Sequence, residues 1–413
     1  MVTPDGLFDG SYMASESLVA WRVGTSAFPP ERYFNDFFSP GLLAAIWRGG
    51  RPRANVEVQN IPLPPEVRIV PASGSVLKQA RVPLHVRVQG RAAEVSLYQN
   101  GARVGNQPGA PNAASEYTFD IELVAGENEL RVVAVSPAGI SSNPDSIRLT
   151  YDAPAPPKPA LHVLAIGISQ YRDPSWNLGF ARADAEALAR FFELKSGKLF
   201  HSVSAKVLID SAATWANIRQ AIDDTAGKAR PEDVVLIYFA GHGIALDRRY
   251  YLLPHDMRSE ATLDEDVKKF GIPDVALQDA LRKVRAVKRI VILDACESGT
   301  ALDILARALA AQRAALEMLI RAEGVFIIAA STRQQEAIEI PELGHGVLTY
   351  ALLSGLGATG DDKAPGAAGV VTMYGLLQYV SQKVPELATR YGRSTKQLPV
   401  SFHRGMDFPL LVP

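Results

Sequence analysis

A chain of 413 residues, 47% hydrophobic and 21% charged, has room for two or three domains of ordinary globular composition. Its 43 Lys+Arg against 44 Asp+Glu leave a net charge of -1, which provides no global attraction to nucleic acid or to an anionic membrane surface. The single Cys excludes an intrachain disulfide and any multi-cysteine zinc or iron–sulfur site.

No apolar run approaches the roughly 20 residues of a bilayer span. The N-terminus shows no basic segment followed by an apolar one, so no secretory signal is read and the expected location is cytoplasmic. Residues 1–60 hold Trp21, Trp47, Tyr33-Phe34 and Phe37-Phe38. The stretch Pro40–Arg48 reads as a short helix. This segment is too small to bury a core well alone, and it is expected to pack on another domain or on a partner.

The Pro-rich stretch Ile61–Pro65 closes that segment. Residues 66–152 then follow period two. Val82, Leu84, Val86 and Val88 alternate with polar positions, as do Tyr117, Phe119, Ile121 and Leu123. Turn signals stand at Asn100-Gly101 and at Gly126-Glu127-Asn128. Short alternating strands between turns predict a small antiparallel β-sandwich, a spacer or interaction module with no catalytic residues. The linker is 153–160, A-P-A-P-P-K-P-A, which cannot continue a strand or helix.

From residue 161 to 413 the pattern becomes α/β. Strands are expected at His162–Ser169, Val203–Ile209, Val234–Ala240, Arg289–Ala295 and Val325–Ala330, with helices over Ala181–Leu194 and Ala213–Ala226. Near-continuous apolar strands predict a mostly parallel sheet covered by helices on both faces. Ligands of such sheets sit at the carboxyl ends of the strands.

Two expected strands stop there at reactive residues. One ends in Gly241-His242-Gly243; the other runs into Asp294-Ala295-Cys296-Glu297-Ser298-Gly299. A thiolate is a strong nucleophile, but the free thiol is mostly protonated at neutral pH, and an imidazole titrates in the range needed to activate it. Gly243 removes a side chain beside His242, which would let substrate approach the backbone, and its amide together with that of Cys296 could hold an oxyanion. His85, His162, His201, His255, His345 and His403 lack such a setting and are read as structural or surface residues, with His255 in Y-L-L-P-H-D the strongest candidate among them for another role.

Residues 161–413 resemble the caspase-like cysteine peptidases, specifically the bacterial relatives grouped with metacaspases. The resemblance lies in H-V-L-A-I-G-I-S-Q-Y, N-L-G-F-A-R-A-D-A, Y-F-A-G-H-G, Y-Y-L-L-P-H-D, V-I-L-D-A-C-E-S-G, F-I-I-A-A-S and the closing Q-L-P-V-S-F-H-R-G-M-D-F-P-L. The His-to-Cys spacing fits the roughly 50 residues of the caspase signature, but Asp294 departs from that signature. The resemblance implies a caspase fold with a His242/Cys296 dyad. It also implies that Asp184 and Asp294 line an S1 pocket for Arg or Lys, as in metacaspases, and that Ser331-Thr332 lines the substrate cleft. The alternative role for the two acids is a helix cap and a structural carboxylate.

Some metacaspases need Ca²⁺. The acidic stretch Glu260–Asp266 lacks the ligand spacing of a dedicated calcium loop, so it is read as a solvated loop and no cofactor is expected. Partners expected are a protein or peptide substrate and an activating protein, with no nucleic acid and no membrane. Arg307, Arg313 and Arg321 in the helical pattern Ala301–Ala322 would allow self-cleavage; an uncleaved active monomer is the alternative. The first 60 residues resemble the tail that joins a β-propeller to a caspase-like domain in some bacterial proteins, which implies a regulated protease. The runner-up function is a caspase-like pseudo-enzyme that acts as a binding or scaffold protein. A non-proteolytic thiol enzyme has no cofactor motif behind it.

Overall fold

In the computed structural model, which describes residues 1–9, 20–23, 26–29, 33, 37–39, 41–54, 63–70, 74–110, 114–246, 249–297, 324–330, 339–359, 364, 369–391, 399–402 and 405–412, the chain divides into two units, Met1–Pro156 and Pro157–Pro413.

In the first unit, Glu66–Val70, Arg81–Gln89 and Ala114–Glu122 form an antiparallel three-stranded sheet. Val76–Leu77, Asp145–Tyr151, Gly126–Val135, Glu94–Gln99 and Ala102–Pro108 form a five-stranded one in that order. The alternation predicted from sequence is the inward face: Leu84, Val86, Val88, Phe119, Ile121, Leu130, Val132 and Ala134 share one core between the sheets. One pairing departs from an all-antiparallel arrangement, since Val76–Leu77 runs parallel to Asp145–Tyr151. Asn100 and Gly101 both take positive φ, 51° and 89°, and turn the chain between two paired strands. In the described part of residues 1–60, a helix spans Leu42–Trp47. Phe28, Tyr33 and Phe37 meet edge to face, and Phe8 packs on Phe38.

The second unit carries the site. The elements that build the main sheet and its surroundings are β1 (Ala160–Gly167), α1 (Ala181–Lys195), β2 (Ser202–Ile209), α2 (Trp215–Lys228), β3 (Val234–Leu246), β4 (Arg249–Leu252), α3 (Leu263–Phe270), β5 (Ile272–Pro273), α4 (Asp274–Arg282), β6 (Lys288–Glu297), β7 (Phe326–Ala329), β8 (Glu339–Ile340), β9 (His345–Gly346), α5 (Val347–Gly355), α6 (Met373–Arg390) and β10 (Val400–Phe402), while Val371–Thr372 and Pro409–Leu411 pair with each other. The main sheet has the order β2-β1-β3-β6-β7-β10. Its first five strands are mutually parallel; β10 runs antiparallel to β7, and β4 antiparallel to β3.

Period two splits the apolar strands into two buried faces. Val163, Leu236, Tyr238, Ile290 and Ile328 pack against Leu188 and Phe192 of α1, Leu348 and Leu352 of α5, and Val380 and Val384 of α6. Val235, Ile237, Phe239, Val291 and Leu293 are buried on the alternate positions. Each such side chain contributes roughly 1.5–3 kcal/mol of burial, which fixes the register: a one-residue slip would exchange the two faces.

At the amino end, Asp233 ties the strands level. It accepts from Ala160 N at 2.7 Å, Arg230 N at 2.9 Å and His162 Nε2 at 3.4 Å. Burial acts to raise its pKa, but these donors and the Arg230 charge outweigh burial and hold the carboxyl below its ordinary range.

Two expectations are corrected. β3 and β6 do not stop at Ala240 and Ala295; they run on through the reactive residues to Leu246 and Glu297. The extension of β3 is paired by β4 over residues 243–246, and that of β6 by β3 itself, so the ladder supplies what apolar side chains do not. The second predicted helix begins at Trp215 rather than Ala213. Asp210, at φ 46°, opens a single 3₁₀ turn before it, and the Thr214 side chain caps the helix by accepting from Asn217 N.

Candidate active site

The register of β3 on β6 pairs Ala240 with Asp294, His242 with Cys296, and Gly243 with Glu297. Adjacent strands lie ~4.8 Å apart, so the backbones of His242 and Cys296 are immediate neighbours at the carboxyl end of the sheet. This is the end where the strand order reverses around β1, and where the loop after β1 reaches over β3.

That loop holds His242. The residue is 6% exposed. The ring packs on Tyr171 at 5.1 Å and edge-on against Trp176 at 5.5 Å between centroids. His242 Nε2 donates to the Trp176 carbonyl oxygen at 2.8 Å. A carbonyl only accepts, so Nε2 carries the proton, and in the neutral ring Nδ1 is the basic nitrogen. Trp176 closes a 3₁₀ turn, Pro174–Trp176, whose cap Asp173 accepts from Ser175 N at 3.0 Å and from its hydroxyl at 2.8 Å. The backbone of His242 is pinned as well. Its N–H donates to the Tyr171 hydroxyl at 2.8 Å, that hydroxyl donates to Leu253 O at 3.4 Å, and Leu253 N donates back to His242 O at 2.9 Å. Burial pushes the Tyr171 hydroxyl well above its ordinary range, so it stays neutral.

The glycines on either side of His242 have a structural reason, which for Gly243 differs from the one inferred from sequence. A Cβ at Gly241 would stand 2.8 Å from the Tyr171 hydroxyl, and one at Gly243 would collide with the Tyr250 hydroxyl. Both volumes are filled by protein, so the space beside Gly243 belongs to Tyr250.

Asp184 and Asp294 come together from α1 and β6, 3% and 5% exposed. A Cβ at Gly346 would lie 3.1 Å from Asp184 Oδ2 and 3.3 Å from Asp294 Oδ2, so both carboxylates border one glycine. Asp184 does not cap its helix, where Phe180 is the N-cap; it accepts from Gly346 N at 3.1 Å and from His345 Nδ1 at 2.6 Å. Asp294 Oδ2 accepts from Thr349 Oγ1 at 2.9 Å and Tyr238 OH at 3.5 Å, while its Oδ1 is buried with no hydrogen-bond partner among the described residues. Burial, then the charge of Asp184, push the Asp294 carboxyl up to about 7, against the pull of the Thr349 and Tyr238 donors.

His345, read from sequence as structural or surface, therefore stands beside the acid pair. The other described histidines bond to ordinary neighbours: His255 Nδ1 to Gln170 O, His201 to Lys158 O, His85 to Thr118, and His162 to Ser204 and Asp233. Ser331, Thr332, His403 and the pattern 301–322 lie outside the described residues. In the acidic stretch, Glu260 pairs with Arg258 and Lys269, Glu265 caps Thr262, and Asp266 accepts from Glu260 N and Ala261 N. Among the described residues, no group of His, Cys, Asp and Glu is arranged to hold a metal ion, and no helix is long and apolar enough to cross a membrane.

A mostly parallel sheet covered by helices, with the Gly-His-Gly strand in register with the Cys296 strand, is consistent with a caspase-type α/β fold. The caspase-domain family profile matches residues 160–407, and the chain belongs to that family of cysteine peptidases. Over 60% of this chain and 94% of its own, a structural-genomics target protein of Geobacter sulfurreducens is similar at 18% identity and TM-score 0.40. The fibronectin(III)-like modules of Clostridium thermocellum CbhA are similar over 21% of this chain and 96% of theirs, at 21% identity and TM-score 0.17. No curated protein matches the chain.

Proposed function

We propose that the chain is a cysteine endopeptidase of metacaspase character that cleaves proteins after Arg or Lys. The observation that carries the reading is the β3–β6 register, which makes His242 and Cys296 backbone neighbours and brings Asp294 into the strand two positions earlier. The Cys296 thiolate attacks the scissile carbonyl. His242, with Nε2–H committed to the Trp176 carbonyl, uses Nδ1 to take the thiol proton and then to protonate the leaving amine. The amides of Gly243 and Cys296 hold the oxyanion, and water releases the acyl group from sulfur.

Asp184 and Asp294 receive the P1 cation. Two buried carboxylates around one glycine repel each other, and one of them leaves an oxygen unbonded among the described residues. A guanidinium or ammonium relieves both conditions through charge-assisted hydrogen bonds. The chemistry needs no cofactor, and the acidic stretch spends Glu260, Glu265 and Asp266 on protein partners. Ser331 and Thr332 are assigned to the cleft on the family resemblance alone. The first unit is read as an immunoglobulin-like module without catalytic residues, and the protein as a cytoplasmic, regulated protease.

Release of a fluorophore from Arg-, Lys- and Asp-terminated peptides, compared for wild type and Cys296→Ala with and without Ca²⁺, tests this. Turnover of the basic peptides alone, lost in the variant, is expected. Turnover of the Asp peptide alone overturns the specificity, and absence of any thiol-dependent turnover overturns the enzyme.

A further inference from the structure

One ring at the acid pair has no part in the chemistry above. His345 stands on β9, one residue before the glycine that both carboxylates border. Its Nδ1 donates to Asp184 Oδ1 at 2.6 Å, while Gly346 N donates to Oδ2 of the same carboxylate at 3.1 Å. The imidazole keeps 23% of its side-chain surface exposed, against 4% for Asp184, so it is the more exposed member of this pair.

The described groups that face the pair come from every element around it. α1 supplies Asp184, β6 Asp294, and β3 Tyr238, whose hydroxyl burial and both acids hold neutral. From α5 comes Thr349, which brings a hydroxyl and no titratable group, and β8 pairs Ile340 with His345 and Glu339 with Gly346. Among these neighbours His345 alone can carry a positive charge.

Two buried carboxylates this close favour taking up a shared proton when no cation is bound. A bound proton must leave before a P1 cation can settle. A donor on Asp184 favours its ionised form and opposes that uptake. Resting on the P1 assignment above, we propose that His345 is a positioning residue that keeps Asp184 ionised and aimed at Gly346, so that an incoming guanidinium or ammonium meets a carboxylate rather than a protonated pair.

The sign follows. Without the ring, the pair holds its proton to higher pH, so cation binding weakens at neutral pH and recovers in alkali, where the proton is gone in either protein. The probe is benzamidine, an amidinium that reports binding without turnover, titrated calorimetrically into the full chain at pH 7 and pH 9. His345→Ala is expected to weaken binding about tenfold at pH 7 and no more than about twofold at pH 9, the scale of one hydrogen bond to a charged group. His345→Asn, whose amide can take the place of Nδ1–H, is expected to restore most of the loss. His345→Gln keeps the bulk but displaces the donor, and supplies the same comparison if the alanine variant does not fold.

A loss equal at both pH values, or no rescue by Asn, marks a structural role and overturns the proposal. Unchanged binding in His345→Ala, while Asp184→Asn abolishes it, overturns the proposal and leaves the P1 site standing. Wild type that does not bind benzamidine, or binding indifferent to both Asp184→Asn and Asp294→Asn, overturns the P1 site and this inference with it.

Discussion

The parallel sheet carries a buried acid at each end, and the two are treated in opposite ways. At the amino end, Asp233 gathers two backbone amides, an imidazole and an arginine, and is held ionised below its ordinary range. At the carboxyl end, Asp294 faces a second acid, has two hydroxyl donors on one oxygen, and is pushed up to about 7. The first arrangement spends every favourable contact on levelling β1 with β3. The second keeps a carboxylate in an environment that a protein built only for stability would neutralise. Burial alone does not tell a structural acid from a binding one; the supply of donors does.

The largest effect separates chemistry from both acids. Cys296→Ala is expected to lower peptide turnover by about 10⁴-fold or more while leaving the melting temperature and circular dichroism at wild-type values. A fall in stability of the size expected for Asp233→Asn would show that the carboxyl end is also structural, and would blunt the contrast. Next, Asp184→Asn is expected to cost about 10²-fold in kcat/KM on Arg-terminated peptides, mostly in KM, with a smaller thermal loss than Asp233→Asn because relief of the repulsion with Asp294 offsets part of the donors' loss. Asp233→Asn should do the reverse. It removes a charged acceptor from buried donors, at roughly 1–3 kcal/mol, and lowers the melting temperature by several degrees with KM unchanged. Differential scanning fluorimetry beside steady-state kinetics decides both. If Asp184→Asn unfolds the protein and Asp233→Asn alters KM, the assignment of the two ends is inverted.

How much of this contrast could be read from sequence depends on the range of the interactions. The alternation Leu84-Val86-Val88 and the apolar run Val234–Ala240 announce their strands because side-chain burial is local in pattern. The Gly-His-Gly and Asp-Ala-Cys motifs stand out because reactive residues flanked by small ones are rare in apolar strands. The continuation of β3 to Leu246 was hidden because β4 supplies it. The glycines were visible, but their cause lies in the hydroxyls of Tyr171 and Tyr250, one from a different loop. The Trp176 carbonyl that sets the tautomer of His242 is a backbone atom and leaves no compositional trace. His345 meets Asp184 across 161 positions of chain, so a histidine with no reactive flanks looked like surface. In each case the missed feature is a contact made by the fold between segments whose local sequences are unremarkable.

The smallest effect is the one that tests the physical account most directly. An acid whose folded pKa is raised binds its proton more tightly in the folded protein, so its contribution to stability is full below its ordinary pKa of 3.8 and is lost as pH rises toward about 7. An acid whose folded pKa is depressed behaves oppositely: Asp233 contributes above its ordinary range and loses that contribution as pH falls. Asp294→Asn removes the first term. Its melting temperature relative to wild type is therefore expected to rise between about pH 4 and pH 7 and to level off above. Asp233→Asn is expected to show its deficit at neutral pH and to approach wild type in acid. Parallel curves for the two variants would mean that the two ends of the sheet hold their carboxylates by the same balance of forces, and the electrostatic argument for a cation at Asp294 would fall with that result.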